Sequence, residues 1–114
     1  MKFTRARTPI IKITTAGVRA VLYTCPQNCT TKVPLVYIVN ASGTTSLTFE
    51  LYKADVDTHF YILAGKNLAT GEAVQLSDGY IVLEAGDKLE VTCTGSTIDV
   101  NALCTAEETF KPVG

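Results

Sequence analysis

His59 is the single histidine of this 114-residue chain, so a Ser/His/Asp or Cys/His relay would have to be built on it. Such a relay needs nucleophile and base within hydrogen-bond reach. Asp57 lies close by in sequence, but nothing in the spacing brings Cys25 or Cys29 to His59, which reads as a strand-end or surface residue. The segment Cys25-Pro26-Gln27-Asn28-Cys29 separates its thiols by three residues where zinc knuckles typically have two. Cys93 and Cys104 form no second tight pair, so no metal site is expected. Asp55-Val56-Asp57 resembles a fragment of a calcium loop but lacks the glycine and the distal glutamate. The glycines, Gly86 included, have no phosphate-loop context and read as turns. No enzymatic activity and no cofactor are expected.

The elements that would carry these residues are short strands. Threonine and frequent glycine turns favour β structure, and no segment has the period of a long amphipathic helix. Leu89, Val91 and Cys93 alternate with polar neighbours. After Gly95-Ser96 the alternation resumes at Ile98, Val100, Ala102 and Cys104. Glycine leading a two-residue connection is the signal of a type II′ hairpin. Val33, Leu35, Tyr37 and Val39 share a face of a longer strand, where Pro34 points to an edge or a bulge. Asn40 to Gly43 reads as a hairpin-type turn into the strand of Leu47, Phe49 and Leu51. The expected fold is all-β, an antiparallel β-sandwich of the jelly-roll or Ig-like kind with about eight or nine short strands. It divides into an N-terminal arm (residues 1–8), a sandwich domain (9–108) and a C-terminal tail (109–114).

Charge and targeting narrow the classes further. Ten Lys and Arg face eleven Asp and Glu, a net charge of −1. The first acid is Glu50, so the early chain carries Lys2, Arg5, Arg7, Lys12, Arg19 and Lys32 alone. Such asymmetry fits a partner-facing or head-to-tail arrangement as well as chance. The basic residues are sparse and not interleaved with stacking aromatics, so no nucleic-acid partner is expected. No apolar run reaches the roughly 20 residues that span a bilayer, and the basic start is followed by no apolar h-region. The Asn28-Cys29-Thr30 and Asn40-Ala41-Ser42 sequons therefore read as accidental. The expected site of synthesis is the cytoplasm, without a signal peptide.

The runs Val21-Leu22-Tyr23-Thr24-Cys25-Pro26, Val36-Tyr37-Ile38-Val39-Asn40-Ala41-Ser42-Gly43 and Ser77-Asp78-Gly79-Tyr80-Ile81-Val82-Leu83-Glu84-Ala85-Gly86-Asp87-Lys88-Leu89 resemble small β-sandwich virion proteins of tailed bacteriophages, over roughly residues 19–108. These are turn and core motifs. The resemblance implies a non-enzymatic virion structural protein, a neck, collar, tail-attached or capsid-decorating subunit, whose partners are other virion proteins and further copies of itself in a trimer or higher ring. The alternative is a carbohydrate- or receptor-binding module in which Tyr52, His59 and Tyr61 act near Asp55 and Asp57.

Two groups of residues carry specific expectations. Lys2, Arg5 and Arg7 precede the first strand, with no acid near them in sequence, and are candidates for subunit contact. Removing residues 1–8 is then expected to impair assembly while leaving the thermal midpoint nearly unchanged. Cys93 and Cys104 are expected as buried free thiols. In a hairpin turning at Gly95-Ser96 they would lie about 20 Å apart at ~3.3 Å per residue, beyond the ~7 Å that a disulfide allows. Cys25 and Cys29, expected in a turn, are the candidates for any disulfide, formed locally or between subunits.

Overall fold

The computed structural model describes residues 3–112. Ten strands form two antiparallel sheets: β1 (Phe3–Arg7), β2 (Ile10–Ile13), β3 (Ala20–Thr24), β4 (Cys29–Asn40), β5 (Thr45–Lys53), β6 (Thr58–Leu68), β7 (Ala73–Leu76), β8 (Ile81–Leu83), β9 (Lys88–Thr94) and β10 (Val100–Phe110). In the first sheet β10 and β4 are central. β1 and β2 lie end to end along the outer side of β10, and β7 and β8 lie end to end along β4. The second sheet runs β3-β9-β5-β6. Counting each end-to-end pair as one ribbon, the chain visits the two sheets as 1-8-3-6 and 2-7-4-5, the jelly-roll order.

The alternation seen in the sequence explains how the layers close, except on β4. There the expected face of Val33, Leu35, Tyr37 and Val39 breaks at the Pro34 irregularity, and Val36 and Ile38 turn inward instead. Leu47 and Phe49 on β5, with Leu89, Val91 and Cys93 on β9, face Val33, Val36 and Ile38 on β4 and Val100, Ala102 and Cys104 on β10, each 2% exposed or less. At about 25 cal/mol per Å2 of apolar surface, this shared core is the main stabilising term. The consecutive strands β9 and β10 lie in different sheets, so Gly95-Ser96 is a corner between layers and not the expected hairpin. Asn40 to Thr44 is likewise a corner, from β4 to β5. Alternation specifies an inward face but not which sheet owns it. The tight connection between paired neighbours is the β5–β6 hairpin, Lys53 opposite Thr58, with Asp57 at φ 47°.

Pro34 lies in a central strand, accommodated on both sides. Towards β10 the register shifts between Thr105 and Glu107. Towards the other edge, β7 ends opposite Val36 and β8 begins opposite Val33, so Ser77 to Tyr80 loop away where Pro34 has no N–H to offer.

The ends of the chain also differ from the sequence expectation. β1 pairs with β10 from Phe3↔Phe110 to Arg7↔Ala106, so the described part of the arm is a strand of the sandwich, and β10 runs on to Phe110 inside the expected tail. Lys2 lies outside the described residues.

Candidate functional site

Three groups of polar residues stand out, and the first is at the end of the core. Continuing the inward row of β10 past Ala106 brings Glu108 into the interior, where it is fully buried. Arg5, its cross-strand partner on β1, donates through Nε to Oε1 at 2.7 Å, and an Nη of Arg7 lies 3.6 Å from Oε2. The Tyr23 hydroxyl reaches from the second sheet to donate to Oε2, and it is 2.8 Å from Thr31 Oγ1. Burial pushes the Glu108 carboxyl up, but Tyr23, Arg5 and Arg7 outweigh it and hold it below the ordinary value. The Tyr23 phenol is raised by burial and by the adjacent carboxylate. Phe3, Arg5 and Arg7 alternate along one face of β1: Phe3 stacks on Phe110 at 4.7 Å, and Arg5 lies over the same ring.

Cys25 and Cys29 adjoin this group and are 1% exposed, not displayed on a turn. Asn28 at φ 59° closes the connection between them. Their sulfurs lie 3.3 and 3.6 Å from Thr31 Oγ1, and Cys25 Sγ is 3.3 Å from the Cys29 carbonyl oxygen. Burial pushes the Cys25 thiol up to about 11. Cys93 and Cys104 are buried in opposite sheets, and all four cysteines are free thiols. Burial raises Cys104 to about 11 and Cys93 above its ordinary value. A disulfide between subunits would require the Cys25–Cys29 connection to open first.

The second group latches the hairpin to the opposite corner. Asp87, 1% exposed, accepts from Ala54 N and Glu84 N, each at 2.9 Å, and from Lys53 Nζ at 2.9 Å. Burial raises its carboxyl, but Lys53 and the two N–H donors prevail and hold it below the ordinary value. The Gly86-Asp87 turn is thus a carboxylate clamp, legible in the sequence only as a turn.

The outer face of the second sheet holds the third group. Glu50 and Glu90 are direct cross-strand partners, only 5% and 6% exposed. Arg19 Nε meets Glu50 Oε1 at 3.1 Å, and His59 Nδ1 meets Glu90 Oε1 at 2.7 Å. Tyr52 packs on the His59 ring and donates to Asp57, and Lys88 sits over Tyr52. Tyr61 is opposite Glu50 and 72% exposed. The structure therefore gathers Tyr52, His59, Tyr61 and Asp57 on one face. Sequence reasoning missed Arg19, Glu50 and Glu90, although the outward parity of Glu50 and Glu90 was visible in the alternation.

The Thr24–Lys88–Tyr52–His59 row crosses the sheet, leaving His59 about 14 Å from Thr24 at ~4.8 Å per strand. His59 is thus not brought to the Cys25–Cys29 thiols. Among the described residues no group of three or more His, Cys, Asp or Glu is arranged to hold a metal.

The charge asymmetry has an internal counterpart. Arg5 and Arg7 pair with Glu108, Lys12 with Asp99 at 3.4 Å, and Arg19 with Glu50, while Lys32 sits over the Tyr80 ring. Early bases meet late acids within one chain.

No family model matches this chain, and no curated protein matches it in sequence. Solved structures do match in fold. A subunit described under "Bacillus endospore appendages form a novel family of disulfide-linked pili" is 18% identical with a TM-score of 0.60, over 98% of this chain and 92% of that one. The infectious bursal disease virus particle gives 14% identity and a TM-score of 0.62 over 94% of this chain, and its VP2 subviral particle gives 12% and 0.61 over 96%. This chain spans about a third of those viral chains, 31% and 33%. At these identities the likeness is one of fold: all-β sandwiches that occur in a pilus and in viral particles.

Proposed function

We propose that this chain is a non-enzymatic structural subunit that assembles with copies of itself into a larger particle or appendage. The observation that carries the reading is that the pilus subunit's fold is matched over nearly the whole of both chains. A small sandwich also leaves strand edges at β1/β2, β7/β8, β3 and β6, which association covers. The finer reading, supported by the turn and core motifs, is a virion protein of a tailed bacteriophage, a neck, collar or capsid-decorating subunit in a trimer or higher ring. The half-exposed Arg5 and Arg7, with Lys2, would contact the neighbouring subunit while Arg5 and Arg7 hold β1 to Glu108. Any disulfide formed in the particle would fall on Cys25 or Cys29, which lie together beside Thr31.

Analytical ultracentrifugation with electron microscopy of the purified protein tests the assembly reading. Rings or filaments that grow with concentration are expected, and a strict monomer at every concentration overturns it. Immunogold labelling of phage particles tests the finer reading, which fails if no station on the particle is labelled.

A further inference from the structure

The outer face of the second sheet violates a local rule. Glutamates directly opposite on antiparallel strands repel, yet Glu50 and Glu90 are such a pair, and each is more than nine-tenths buried. Arg19 Nε lies 3.1 Å from Glu50, and His59 Nδ1 lies 2.7 Å from Glu90. A costly arrangement kept on an otherwise solvated face marks a site more often than a support. Beside it lies a depression of about 300 Å3, lined by Gly17, Arg19, Thr48, Glu50, Tyr61 and Thr92. Its residues come from β5, β6, β9 and the lead-in to β3, so a rigid sheet sets their spacing.

The lining has the chemistry of sugar recognition. The exposed Tyr61 ring offers an apolar face to the C–H side of a pyranose. Glu50 can accept from ring hydroxyls, and Arg19, held through Nε, keeps its terminal N–H groups for the oxygens of the same diol. Thr92 adds a hydroxyl, whereas Thr48 already accepts from Gly65 N. The mixture of one apolar plane with fixed donors and acceptors suits a neutral polyhydroxylated ring. It suits an anion poorly, because the carboxylate lies in the same depression.

We propose that this depression binds a single pyranose residue of a carbohydrate, with Tyr61 as the stacking platform and the Arg19–Glu50 pair reading adjacent hydroxyls. The site is independent of the assembly reading, since none of these residues belongs to the β1–Glu108 group.

Saturation-transfer NMR with the methyl glycosides of glucose, galactose, mannose and N-acetylglucosamine tests it on the full chain. Transfer to at least one glycoside is expected. Tyr61→Ala weakens binding by about fivefold or more, Tyr61→Phe keeps it, and Arg19→Ala reduces it. Tyr80→Ala, which removes an exposed tyrosine of the loop between β7 and β8, leaves it unchanged. Unaltered circular dichroism and thermal midpoints establish that the variants fold. No transfer to any of the four glycosides overturns the proposal, as does transfer that survives Tyr61→Ala or is lost with Tyr80→Ala.

Discussion

Glu108 concentrates the electrostatic risk of this molecule in one side chain. Its two cations are half exposed and would rehydrate if the carboxylate were removed, whereas the carboxylate itself cannot. Glu108→Gln should therefore cost about 1–3 kcal/mol. Arg5→Ala with Arg7→Ala should cost more, about 3–5 kcal/mol, because a buried charge is left with Tyr23 alone. Urea denaturation of both variants gives the order. Glu108 and Asp87 are both held below the ordinary carboxylate value, so the unfolded chain takes up protons first as pH falls. Their contribution is complete above about pH 5 and is lost as pH drops through their lower native values. The urea midpoint should decline in that window, and Asp87→Asn with Glu108→Gln should flatten the decline. Cys25 and Cys104, pushed up to about 11 and buried, should resist iodoacetamide at pH 8 until urea is added, as mass spectrometry would read. Glu108 was half legible in the sequence: it follows Val100, Ala102, Cys104 and Ala106 on one parity. An acid at the end of an apolar row ordinarily reads as the row leaving the core, and only the cations of a strand remote in sequence make it a continuation.

At the scale of elements, what could be read locally was read and what depends on layering was not. The inward faces of β5, β9 and β10 follow from a period of two, whereas on β4 the period breaks at Pro34, so that Val36 and Ile38 point inward in place of Leu35, Tyr37 and Val39. The sequence contained no sign that Gly95 turns a corner between sheets, because hairpins and corners share their turn chemistry. The geometry there is demanding. Gly95 has φ 148°, and a Cβ on it would meet Thr44 O at 2.7 Å, a backbone atom that cannot swing aside. Gly71, at φ 83°, has open space around it. Gly95→Ala should therefore destabilise by roughly 2–4 kcal/mol and Gly71→Ala by about 1 kcal/mol. Thermal melts of the two variants provide the comparison, and equal losses would contradict the steric account.

For the whole molecule, the sandwich was legible because many short alternating strands admit few other folds, while the choice between the jelly-roll and Ig-like orders was not, since order is a matter of which distant strands meet. The arm shows the difference. Its residues carry no core-forming pattern by themselves, yet Phe3, Arg5 and Arg7 complete a row begun at Phe110 and Glu108. Deleting residues 1–8 should therefore lower the thermal midpoint, by several degrees if the loss is ~1–2 kcal/mol, as well as impair assembly. Calorimetry beside sedimentation would separate the two effects. The stacking of Phe3 on Phe110, 4.7 Å between ring centres, also means that the chain enters and leaves the sandwich at one spot. A body with adjoining ends can be spliced into a surface loop of an unrelated protein without stretching either. It can also be circularly permuted through a short Gly-Ser linker, with new ends opened at the Ser77–Tyr80 loop.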